Sequence, residues 1–286
     1  MNFDERTLAR MATGVENRDP RALATLRTLA PGHALIVGIT GPPGAGKSTL
    51  VDAIASAIRR EGKTVAILAV DPSSGISGGA ILGDRIRMQR HYADPGIFIR
   101  SMATRGSLGG LAGATADLAK LMDAAGKDYV LIETVGVGQA EIAIAGLAQV
   151  TVVVLVPGMG DDVQTIKAGI LEIADIFAIN KADQPGAGRV EIELHANDLT
   201  CPVVKTVATT GEGVDQLLEA IRTAGPRSPV SVAHPVALRV TNLDEAIAIL
   251  RSAGAQIQPN GDGRIVIQPP PGVSLELIQE KGTSEG

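Results

Sequence analysis

At 286 residues the chain has room for one large domain, or for a medium domain and a small one. Hydrophobic residues make up 45% but aromatics only 2%, with no Trp, so the core must be built from Val, Ile, Leu and Ala, which suits a parallel sheet covered on both faces by helices. A net charge of −5 without any basic run interleaved with aromatics argues against nucleic acid or an acidic membrane as partner, and a single cysteine, Cys201, excludes an internal disulfide or a Cys-cluster metal site. The opening MNFDERTLARM mixes acids with bases and holds no apolar stretch, so no signal peptide is expected. The longest apolar run, residues 150–156, is far short of a membrane span. The expectation is a soluble, cytoplasmic protein.

Residues 8–29 carry apolar positions at helical spacing, broken near Asp19 and Pro20, which predicts two short helices around a Pro-capped turn. HALIVGIT then reads as a buried strand, and STLVDAIASAIRREG as a helix stopped by Gly62. KTVAILAV is the next strand, ending at Asp71, before a Gly- and Ser-rich stretch from 72 to 83. IFIRS, the helix LAGATADLAKLMDAAG, and the strands YVLIET, VTVVVLVP and IADIFAIN follow. A last strand at 202–206 and the helix VDQLLEAIRTAG close the series. Apolar strands alternating with helices predict an α/β fold, a doubly wound and mainly parallel sheet. The expected organisation is a helical extension over 1–33, the α/β domain over 34–225, a Pro-rich linker over 226–233 and a small α+β module over 234–286.

GPPGAGKS at residues 41–48 matches G-x-x-x-x-G-K-[ST], and it lies where the mechanism requires, between a buried strand and the start of a helix. Glycines let the backbone curl so that the amides of Gly44, Ala45 and Gly46 point at phosphate oxygens, and the helix N-terminus adds positive potential. Lys47 is expected on the β and γ phosphates, Ser48 on magnesium and Thr49 beside the α-phosphate. NKAD at 180–183 follows an apolar strand. The Asp183 carboxylate can accept from guanine N1–H and the 2-amino group, whereas adenine would set a lone pair against it. The Lys181 stem can lie along the base, and Asn180 can tie this loop to the phosphate loop. ETVGVGQ at 133–139 ends another strand. The backbone of Gly136 is a candidate γ-phosphate contact, and Glu133 stands where Asp is usual in D-x-x-G. Asp71 and Asp84 read either as carboxylates neutralised by magnesium or orienting a water, or as a helix cap and a solvated acid.

Quoted together, GITGPPGAGKSTL, AVDPSSGISGGAILGDRIRM, FIRSMATRGSLGG, LIETVGVGQAE, VPGMGDDVQTIKAGI and INKAD closely resemble the MeaB/MMAA (ArgK-type) G-protein chaperones of adenosylcobalamin-dependent acyl-CoA mutases. The resemblance runs from about residue 6 to 225. It implies a GTPase with GTP/GDP and Mg2+ as ligands that docks on such a mutase, gates delivery of its cofactor and protects it. Hydrolysis is then slow alone and faster with the partner. It also implies that Asp71, Asp84 and Glu133 form the magnesium and catalytic shell. Asp161, Gln164 and Lys167 would belong to a segment that swings toward the nucleotide, with Lys167 supplying charge to the transferring phosphoryl group. A plain solvated helix lysine is the alternative for Lys167. The family's Ser-Ala contact to guanine reads Thr206-Val207-Ala208 here, so only Ala208 carries over. A metal-insertion GTPase and a small-molecule kinase remain alternative functions.

In place of the family's C-terminal helical arm, residues 236–281 resemble one βαβββ unit of the vicinal-oxygen-chelate fold, as in methylmalonyl-CoA epimerase and glyoxalases. Glu276 falls at that fold's Glu position. His234 sits one residue before its His position, and a one-residue shift turns a strand side chain to the opposite face. The expectation is therefore a module that pairs two chains as a homodimer or contacts the mutase or its acyl-CoA, rather than a metal-dependent epimerase.

Overall fold

Two capped helices open the chain. In α1 (Glu5–Glu16) the side chain of Asp4 accepts from the Thr7 amide at 2.7 Å. In α2 (Pro20–Thr28) Asp19 accepts from the amides of Arg21 and Ala22, and Pro20 occupies a first-turn position that needs no donor. Their apolar faces bury Leu8, Ala12, Val15 and Leu26. In this computed structural model the described residues are 3–71, 94–103, 108–134, 146–158, 173–196 and 201–225, with the backbone of four further strands between 236 and 279.

The central element is a seven-stranded parallel sheet in the order β3-β2-β4-β1-β5-β6-β7. Its strands are β1 (Leu35–Thr40), β2 (Val65–Asp71), β3 (Ile97–Ala103), β4 (Tyr129–Thr134), β5 (Val150–Leu155), β6 (Ile176–Ile179) and β7 (Val203–Lys205). Every residue of β4, β5 and β6 is buried, which is why these strands read as unbroken apolar runs rather than alternating ones. On one face α3 (Lys47–Arg60) and α6 (Val214–Ala224) pack against Val37, Ile39, Leu131 and Val152. On the other, α1, α2 and α4 (Leu108–Ala124) cover Leu68, Val130 and Ile132. The α/β, doubly wound architecture expected from the sequence is the one observed.

One helix lies beyond those expected from the sequence. Residues Ala187–Ala196 form α5, which buries Ala187, Val190 and Leu194 over Val153, Leu155 and Phe177. The 3- and 4-residue spacing of those three was the available signal, hidden by the Gly-rich approach to it. After α3 the chain reverses at Gly62 with φ 75°, a left-handed turn in which the amides of Gly62 and Lys63 bond to Arg59 and Ile58 carbonyls.

Residues Met1–Arg227 and Ser228–Gly286 form two compact units. The second contains a four-stranded mixed sheet in the order β8 (Val236–Val240), β11 (Leu275–Gln279), β10 (Arg264–Gln268), β9 (Gln256–Asn260). β8 and β11 are parallel, and the other two pairings antiparallel. Glu276 pairs in register with Ala237 and Val266. The helix of the expected βαβββ unit and His234 lie outside the described residues.

Candidate nucleotide site

The site sits at the C-terminal edge of the sheet, around β1. To one side of β1 the chain builds β4, β2 and β3, and to the other β5, β6 and β7, so loops diverge there and leave a crevice. β1 ends at Thr40 and turns at Gly41, whose φ is 143°. A β-carbon at 41 would come within 2.2 Å of the Val154 carbonyl oxygen, so the root of the loop fits against β5 only as glycine. The loop re-enters a helix at Gly46, φ 84°, which caps α3 without any side-chain acceptor. A helix start without a side-chain cap suits an anion.

Polar side chains hold this loop from within and from a neighbouring strand. Lys47, 7% exposed, donates from Nζ to the carbonyls of Gly41 at 2.7 Å and Pro42 at 3.0 Å. Ser48 donates to Glu133 Oε1 at 2.5 Å, and Glu133 is 1% exposed at the end of β4. From the end of β6, Asn180 donates through Nδ2 to the Ala45 carbonyl at 2.9 Å. Its Oδ1 accepts from the Ala208 amide at 3.1 Å and the Thr206 hydroxyl at 3.3 Å. Donor and acceptor ends of the amide are thus both engaged, and three loops meet on one buried side chain. Lys181 adopts φ 55°, a conformation that residues other than glycine rarely take, and its Nζ reaches the Gly44 carbonyl at 3.0 Å. Thr49 and Asp183 are exposed at the rim.

The tie between Asn180 and the phosphate loop, foreseen from NKAD, is present as that 2.9 Å bond. Ala208 is brought to the site through Asn180, which takes its amide hydrogen. Asp71 closes β2 one position beyond the pairing of Val70 with Thr134, which puts its backbone at the same edge. Asp84, Gly136, Asp161, Gln164 and Lys167 lie outside the described residues. Three buried threonines have roles that the sequence does not announce. Thr206 supports Asn180, and Thr134 donates to Thr40 at 3.0 Å. Thr40 and Thr134 each close a strand directly before a glycine-bearing loop, but their pairing spans 94 residues and leaves no local signal.

The donors that Ser48 and Glu133 present beside the loop are a hydroxyl and a carboxylate. An all-oxygen pair suits magnesium, a hard cation, and does not suit a thiophilic metal.

A Gly-rich turn between β1 and α3, locked to an Asn-Lys-x-Asp loop, defines the class as a P-loop GTPase. Residues 8–226 match the model of the family described as Methylmalonyl Co-A mutase-associated GTPase MeaB, and the chain belongs to that family. It is 56% identical over 232 residues to a putative GTPase of Pyrococcus abyssi, a match covering 77% of this chain and 72% of the relative. It is 39% identical over 198 residues to the mitochondrial methylmalonic aciduria type A homolog of Mus musculus, covering 65% of this chain and 48% of that protein. Among solved structures it resembles a LAO/AO transport system kinase with a TM-score of 0.60 and 32% identity, over 77% of this chain and 72% of that one. The protein is a GTPase of the MeaB/MMAA type.

Proposed function

We propose that this GTPase serves an adenosylcobalamin-dependent acyl-CoA mutase, gating delivery of the cofactor and protecting it, with GTP hydrolysis as the switch. The observation that carries the proposal is the match of 219 consecutive residues, 8 to 226, to a family described by its association with methylmalonyl Co-A mutase. The site supports it chemically. A buried lysine and an uncapped helix N-terminus flank the Gly-rich turn, as a phosphate would require, and Asp183 is exposed, free to accept from a guanine edge.

Within this proposal Gly44, Ala45, Gly46, Lys47, Ser48 and Thr49 hold the phosphates, while Asn180, Lys181, Asp183 and Ala208 build the base site. Gly136 would meet the terminal phosphate. Ser48, Glu133, Asp71 and Asp84 would hold magnesium, which when bound neutralises phosphate charge. Asp161, Gln164 and Lys167 would complete the site when the mutase docks, so hydrolysis is slow without it. The C-terminal unit would pair two copies of the chain or contact the mutase. A cytoplasmic setting is part of the same proposal, supported by the absence of a signal-peptide pattern at MNFDERTLARM.

The test is GTP turnover by the purified protein, alone and mixed with mutases for methylmalonyl, isobutyryl, ethylmalonyl and hydroxyisobutyryl thioesters. One of them should raise the rate at least roughly tenfold, as partner-completed sites do. Unchanged turnover with every mutase would overturn the chaperone role while leaving the GTPase intact.

A further inference from the structure

Two hydroxyls meet where β1 and β4 end. Thr134 Oγ1 donates to Thr40 Oγ1 at 3.0 Å, and each residue is only 1% exposed. The strand register pairs Ile39 with Glu133, so these threonines form the next rung. Thr40 is the last residue before the phosphate loop, and Thr134 the last of β4.

Successive side chains on a strand point to opposite faces. Glu133 faces the α3 layer, where it meets Ser48 just beyond the phosphate loop. Thr134 faces the other layer and meets Thr40 just before that loop. Two consecutive residues therefore straddle the sheet and fasten the end of β4 to both shoulders of the phosphate loop. Packing alone does not require hydroxyls there, because valine has the same shape. A buried hydroxyl is unfavourable unless bonded, and this pair is bonded to each other.

We infer that Thr134 is a positioning residue for GTP hydrolysis: through Thr40 it fixes the end of β4, with Glu133 and the chain that follows, against the root of the phosphate loop. The inference rests on the proposed place of Glu133 in the catalytic shell only for its route of action. Thr134 itself touches no reacting atom.

The experiment compares Thr134→Val, which removes the donor at constant shape, with Thr134→Ser, which keeps it, and runs Glu133→Gln in parallel. Thr134→Val should lower kcat for GTP roughly tenfold with KM and GDP affinity within about twofold, a loss confined to the chemical step. Thr134→Ser should recover to within about twofold of the parent. Thr40→Val combined with Thr134→Val should lose about as much as Thr134→Val alone, well short of the two single losses multiplied, because both remove the same bond. Thr134→Val at the parent rate, or Thr134→Ser as impaired as Thr134→Val, would overturn the inference. So would a kcat loss matched by equal losses of GDP affinity and of melting temperature, since that marks a fold defect. If Glu133→Gln keeps its rate while Thr134→Val loses it, the role of Glu133 falls and that of Thr134 stands.

Discussion

At the N-terminal edge of the large sheet, side-chain oxygens capture backbone amides where strands begin. Asp128 accepts from the Thr64 amide at 2.7 Å, Asp175 from Thr151 at 2.8 Å, Asp123 from Gly32 and Ala34, and Gln149 from Ile36. At the C-terminal edge the polarity reverses. There Lys47, Lys181 and Asn180 donate to the carbonyls of Gly41, Pro42, Gly44 and Ala45. Because a peptide unit is planar with its C=O and N–H opposed, engaging the carbonyls of a curled loop from one side turns its amides to the other. One edge closes the sheet with acceptors. The other is dressed with side-chain donors that hold the carbonyls of the Gly-rich loop.

That contrast predicts which edge answers to nucleotide and which to heat. Lys47→Ala should produce the largest effect, a fall in GTP affinity of about 100-fold or more, because charge-assisted bonds to phosphate are lost. Calorimetry showing retained micromolar binding would break the assignment of that edge. Asp183→Asn should act next, reducing the preference for GTP over ATP by roughly tenfold through loss of the carboxylate's two bonds to guanine. An unaltered ratio in competition binding would remove Asp183 from base selection.

Asp128→Asn should give the smallest effect and on a different observable: a melting temperature lower by about 2–4 °C with GTP affinity unchanged. Burial pushes the Asp128 carboxyl up, but hydrogen bonds from the Thr64 amide and hydroxyl and from Lys63 outweigh it and hold it below its ordinary value. A carboxyl depressed in the fold contributes stability that is present above its unfolded value, near 4, and lost as pH falls through the folded value. The parent should therefore lose this contribution below about pH 4 and the Asn variant should not. A variant with weakened GTP binding would erase the distinction between the two edges.

The difference between the edges also marks what was legible in the sequence. GPPGAGKS and NKAD are local patterns whose spacing is fixed by one turn each, so Lys47, Ser48 and Asn180 could be named before any fold was known. The strands were legible because burial on both faces leaves uninterrupted apolar runs. The acceptors at the opposite edge were not, because their partners are distant in sequence: Asp123 is 91 residues from Gly32 and Asp128 is 64 from Thr64. Nothing in a lone Asp beside a strand start distinguishes a backbone clamp from a solvated charge. The Thr40–Thr134 rung was invisible for the same reason, a separation of 94 residues. Helix α5 was obscured on other grounds, since the exposed Ile192 breaks the helical stripe of Ala187, Val190 and Leu194.

The glycine at position 46 ties these threads together. A β-carbon there would lie 2.6 Å from Asn180 Nδ2, the same atom that reaches Ala45. Any side chain at 46 would thus displace the residue that also receives Ala208, and a change made in the Gly-rich loop would be felt in the Asn-Lys-x-Asp loop and in the turn at Ala208. On the proposed reading, a side chain at 46 should therefore weaken binding of the base and of the phosphates together rather than either alone.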